Sequence, residues 1–217
     1  MEEKQAVKPE LRVFVIYVLI LLAIGSLLLV MLLNQKPVNI SIPYTIELVE
    51  DSSTPDAIQY TWHVVVQEPV RILDLRYTAE RLIEEAQAGS SFNALEIMIY
   101  DYPEYIGYGY TLARVVFAPE GDLRKANTIK PGDYDQMSIQ WDLREKIWEK
   151  QLSQDEVVIW KAWQDYYSEQ AVKEAMPDKN LISEVIADTY NMEPSDIDAI
   201  RLKQEYWRYA NFDYITR

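Results

Sequence analysis

The chain has 217 residues with 21 Lys+Arg against 35 Asp+Glu, a formal net charge of −14, one His, six Gly and no Cys. Zero cysteines exclude disulfides, thiolate nucleophiles, zinc fingers and iron–sulfur ligation, and one His excludes any site needing two imidazoles. The acidic balance argues against nucleic acid, which is bound through an excess of Lys and Arg, and the few glycines hold no phosphate-binding loop.

Residues 1–12 contain Lys4, Lys8 and Arg12, and Val13 to Leu33 follow as 21 residues without a charge. At about 1.5 Å per residue such a helix spans roughly the 30 Å of a hydrocarbon core, so 13–33 is expected to be a transmembrane helix contacting the lipid bilayer. A cleavable signal peptide fits less well: the run is longer than a signal core, and it leaves through Asn34-Gln35-Lys36-Pro37 without a small-x-small site. Three basic residues before the span against Lys36 after it predict the N-terminus inside and the rest of the chain outside, in a cell membrane. Residues 34–43 read as a stalk between Pro37 and Pro43.

The first 36 residues hold four basic and three acidic groups, so the part beyond them carries 17 Lys+Arg and 32 Asp+Glu. The acidity therefore belongs wholly to that part. Next to anionic lipid, a domain of net −15 is repelled within about a Debye length, 8–10 Å at physiological salt.

Residues 44–150 pattern as an α+β domain, with a small antiparallel or mixed sheet and one packed helix. Tyr44–Glu50 opens a strand and Asp51–Asp56 is a turn. Ala57–Gln67 alternates, with Ile58, Tyr60, Trp62, Val64 and Val66 on one face and Gln59, Thr61, His63 and Gln67 on the other. A helix after Pro69 carries Leu73, Tyr77, Leu82 and Ile83 as its apolar stripe and ends with Gly89 as cap. Ala94–Tyr100, Tyr110–Ala118 and Met137–Leu143 are further strands.

Residues 151–217 pattern as a helical C-terminal segment. Ser153 and Glu156 form a capping box, a second helix covers about Asn180–Tyr190, and a third follows Pro194 with Ser195 as N-cap and Asp198 in the box position. Strands first and helices after is the order of an α+β fold.

Within Asn93–Asp122, the strand end Tyr100-Asp101, the segment Gly109-Tyr110-Thr111-Leu112 and the turn Phe117-Ala118-Pro119-Glu120-Gly121-Asp122 resemble an uncharacterised domain of bacterial, mostly Gram-positive, membrane and secreted proteins. The resemblance covers about residues 57–145 and, more weakly, the last helices. It implies a fold and a membrane-linked setting and carries over no catalytic residue.

The most unusual local feature is a tyrosine cluster. Tyr100, Tyr102, Tyr105, Tyr108 and Tyr110 fall within eleven residues around Pro103, Gly107 and Gly109. A tyrosine ring with a polar tip suits sugar or protein recognition, so Tyr102, Tyr105, Tyr108 and Tyr110 are the expected partner-binding residues.

No catalytic residue, metal ligand or cofactor-binding residue is assigned. His63 has no local nucleophile or orienting acid in the sequence, and no Gly-x-Ser-x-Gly is present. An EF-hand loop opened by Asp133 fails at Ser138 and Arg144. The pairs Asp101/Glu104, Glu120/Asp122 and Asp133/Asp135 leave an envelope hydrolase working through two carboxylates as an alternative. The leading expectation is a single-pass membrane protein whose acidic exterior domain binds or scaffolds an envelope protein or glycan. A cytoplasmic-facing sensor or regulator is the third reading, if the orientation is reversed.

Overall fold

Alternating strands separated by one long crossover dictate the architecture in the computed structural model, which describes residues 42–66 and 69–209. The expected transmembrane helix 13–33, the tail before it and the stalk up to residue 41 lie outside these residues. Among the described residues no helix is long and apolar enough to cross a membrane.

Five strands form one sheet in the order β1 (Tyr44–Asp51), β2 (Gln59–Val66), β3 (Ala94–Tyr100), β4 (Ala113–Pro119) and β5 (Met137–Leu143). All neighbours are antiparallel except β2 and β3, which run parallel. A parallel pair needs a crossover, and helix α1 (Ile72–Gly89) supplies it. In register, Val64 faces Ile99, and Ile97 faces Val115, so β2, β3 and β4 present one continuous aliphatic surface. Leu75, Ala79, Leu82, Ile83 and Ala86 of α1 are buried in the same cluster. Leu73, expected in the helix stripe, points outward at 57% exposure. The stripe turns out to start two residues later, because Leu75, Ala79, Leu82 and Ala86 keep the helical period and Leu73 does not. Gly89 is the last helical residue and not a left-handed cap: Ser90 follows it in extended conformation, its N–H donating to the Ala86 carbonyl.

The second face of the sheet is also closed. Ala94, Val116 and Ala118 pack with Ala57 and Ala126, the last contributed by the 3-10 turn Leu123–Thr128. Thr61, His63 and Glu96 on this face are buried as well. Fully buried Asn93 fastens the connections: its Oδ1 accepts the Ile58 N–H at 2.7 Å and its Nδ2 donates to the Ile129 carbonyl at 2.7 Å.

Three helices follow: α2 (Gln154–Lys173), α3 (Lys179–Tyr190) and α4 (Pro194–Tyr209). The Ser153/Glu156 capping box is formed in both directions, and Asp178 caps α3 through the Asn180 N–H. Helix α4 begins at Pro194 itself, which suits a first position that needs no N–H. Ser195 is therefore inside the helix, and Asp198 serves a different purpose: it accepts from Ser183 Oγ at 2.9 Å and from Arg201. Val157, Trp160, Trp163, Ile182, Ile186, Ile197, Ile200 and Trp207 belong to the same buried cluster as the sheet. The helical segment and the sheet thus share one core.

Candidate functional site

The tyrosine cluster sits where the end of β3 meets α2. Pro103–Tyr105 forms a single 3-10 turn, and Gly107 and Gly109 take positive φ, which lets the chain fold back on itself. Gly109 is also a close approach: a Cβ there would lie 2.6 Å from Arg208 Nη2 of α4.

The rings mostly face inward. Tyr105 is 1% exposed, lies 5.2 Å from the Trp160 ring, and its buried hydroxyl has no hydrogen-bond partner among the described residues. Burial pushes its phenol above the ordinary range. Tyr105 is therefore closed to an outside partner in this fold. Tyr108 is half-buried edge-on to Trp160, and its hydroxyl donates to Asp165 of α2. Tyr110 is half-buried, donates to Asp142, and carries the Arg144 guanidinium 4.0 Å over its ring. Tyr102 is half-buried, its phenol raised by burial and by neighbouring Asp101. Tyr105 and Tyr108 thus bind the segment after β3 to α2 and Tyr110 binds it to β5, with Tyr102, Tyr108 and Tyr110 left partly at the surface.

Behind the cluster lie two ionisable groups: Asp101, which the sequence offered only as half of a carboxylate pair, and Lys146, which it did not single out. Asp101 is buried, accepting from Thr111 Oγ1 at 2.6 Å and from Gln151 Nε2 at 3.0 Å; burial still holds its carboxyl above the usual range. Lys146 donates to the Trp207 carbonyl and lies 4.8 Å over the Trp207 ring. Burial, helped by Arg144, brings its ammonium down to about 7. A perturbed acid and a perturbed base in one place are a pattern shared by active sites and by structural networks.

His63 has partners that only the fold supplies. In the tautomer protonated at Nε2, Nδ1 accepts the Tyr100 hydroxyl at 2.9 Å. Glu50 Oε2 lies 3.3 Å from Nε2 but off the hydrogen-bonding direction, so Nε2 is close to a carboxylate without being satisfied by it. Beside this row, Arg114 pairs with Glu96, and Thr61 Oγ1 donates to Glu96 at 3.4 Å. Tyr100, His63 and Glu50 form a polar row in which only the Tyr100–His63 contact is a hydrogen bond, and burial holds the phenol above its ordinary range. The parallel pairing of β2 and β3 creates this row, and no local sequence spacing announces it.

Five of the six carboxylates in these pairs have a partner within the protein. Asp101 is described above, and Glu104 accepts from Gln154 at 2.9 Å. Glu120 pairs with Lys125, and Asp122 is gripped by Arg124, which holds its carboxyl down at about 2. Asp133 accepts from Gln136 at 2.6 Å. Among the described residues no group of three or more His, Asp or Glu is placed to hold a metal ion.

No curated protein and no solved structure matches the chain. A family model described as a domain of unknown function, DUF4875, matches residues 40–199. That span takes in the whole sheet, α1, α2, α3 and the first turns of α4, and so extends beyond residues 57–145 at both ends. With most of its length matched, the chain belongs to the DUF4875 family of domains of unknown function.

Proposed function

We propose that this chain is a single-pass membrane protein, with residues 13–33 as an uncleaved anchor, the N-terminus inside, and the acidic α+β domain outside in a bacterial, Gram-positive-type envelope, where it binds or scaffolds envelope components. The observation that carries the reading is the 21-residue uncharged run, flanked by Lys4, Lys8 and Arg12 on one side and by Lys36 alone on the other. The domain begins with β1 at Tyr44, about ten residues beyond that run. Its charge keeps it off anionic lipid and favours a cationic or polar partner. The contact surface in this reading is the acidic exterior together with the exposed edges of Tyr102, Tyr108 and Tyr110.

Protease treatment of intact cells tests the placement. Digestion of the domain without cell lysis is the expected result. Full protection until lysis would refute it and favour the cytoplasmic-facing sensor.

A further inference from the structure

In the sheet, β1 is an edge strand whose one neighbour is β2. Backbone N–H and C=O groups of a strand point alternately to either side, so about half of those over Tyr44–Asp51 face away from β2. Among the described residues these outward groups have no hydrogen-bond partner. They form an open row that a further strand can complete.

The side chains along this edge are open as well. A bulge between Ile46 and Leu48 puts Glu47 out of register, and from Glu47 to Asp51 every residue is exposed. Leu48 faces His63 and Val49 faces Trp62, so the two lie on opposite faces of the strand. They are 40% and 51% exposed. A strand laid alongside covers both, whereas a helix or loop packed on one face covers one. The other edge differs: β5 exposes Ser138, Gln140 and Asp142 and keeps Met137, Ile139, Trp141 and Leu143 half-buried.

Charge decides what the added strand is. The charged residues of β1 are Glu47, Glu50 and Asp51, all acidic, and Glu47 has no ion pair among the described residues. A second copy pairing β1 against β1 would bring these acids against three more, in a chain of net −14. Like charges across a strand pair are destabilising, and opposite charges are favourable. The edge therefore rejects its own kind and suits a basic strand.

We propose that the outer edge of β1 receives an extended, lysine- or arginine-rich segment of a partner protein as a sixth strand. Its backbone completes the open row, its apolar side chains cover Leu48 and Val49, and its basic side chains meet Glu47, Glu50 and Asp51. Main-chain bonds supply the hold in such an arrangement, and side chains supply the choice of partner. The edge belongs to the sheet itself, so the proposal stands or falls independently of which side of a membrane the domain occupies.

The test titrates the full chain in uncharged detergent micelles with a peptide alternating lysine and valine. Two controls accompany it: the same peptide with glutamate for lysine, and the lysine peptide N-methylated at two adjacent central residues, which keeps the charge and removes an N–H from each of its edges. Two or three cross-strand charge pairs predict that the lysine peptide binds about tenfold or more tightly than the glutamate peptide. The N-methylated peptide is expected to lose most of the binding. Hydrogen exchange should slow at β1 amides when the lysine peptide is bound. The double variant Glu47→Lys/Glu50→Lys changes only exposed side chains and should reverse the order of the lysine and glutamate peptides. The proposal is overturned if the lysine peptide does not bind, if either control binds as well, or if the protected amides lie outside β1. A dimer in sedimentation whose protected amides are those of β1 would assign the edge to a second copy and also overturn it.

Discussion

Tyr105 allows the role of the tyrosine cluster to be measured with two substitutions that pull in opposite directions. The ring is 1% exposed and packs on Trp160 at 5.2 Å, while the hydroxyl is buried without a partner among the described residues. Truncation in Tyr105→Ala removes a large buried aromatic, and such changes cost about 3–5 kcal/mol, of which about 0.5–1.5 reflects the aromatic pair itself. For a chain of this size each kcal/mol moves the melting temperature by about 2–4 °C, so the expected fall is about 6–20 °C. Tyr105→Phe keeps the ring and deletes only the unsatisfied group, which costs about 1–3 kcal/mol to bury. It should be neutral or stabilising. Thermal unfolding of the full chain in detergent, followed by near-ultraviolet circular dichroism, reads both. A Phe variant as damaged as the Ala variant would show that the hydroxyl has a partner. An Ala variant within about 1 kcal/mol of the parent would show that the ring does not join the sheet to α2.

Asn93→Ala strands the Ile58 N–H and the Ile129 carbonyl and should cost about 2–4 kcal/mol in the same melt, although the residue looks like an ordinary loop asparagine. Lys146 binds a proton less tightly in the fold, at about 7, than in the unfolded chain, near 10.4. Unfolding therefore takes up a proton between those values, and stability rises with pH across that window; Lys146→Met should flatten this rise in denaturant titrations run from pH 6 to 10. Ser153→Ala removes the α2 cap and should lower stability by about 1 kcal/mol, with Ser153→Asp restoring most of it.

Strands were legible where one face of the chain meets the core and the other does not: β5 alternates polar and apolar over Met137–Leu143 and forms over those same residues. The strand containing His63 was legible in place but not in environment. Its polar positions read as a solvated face, yet parallel pairing sets Thr61 beside Glu96 and His63 beside Met98, and both faces are covered. Such pairing depends on residues more than thirty apart and leaves no periodic trace. The tyrosines were legible as a cluster, but their inward direction depends on Trp160, fifty residues on. Gln204 was the least legible: within an otherwise apolar helix stripe a glutamine reads as a surface residue, and only the packing of α2 against α4 shows it to be buried with an open donor.

The placement of the domain outside the membrane is tested most directly by cysteine labelling, because the chain has no cysteine of its own. Ser52→Cys puts one thiol in the exposed connection after β1, and Gln5→Cys puts one ahead of the uncharged run. With a membrane-impermeant maleimide on intact cells, the first variant is predicted to label fully and the second only after permeabilisation. Labelling of position 5 with protection of position 52 would contradict the account.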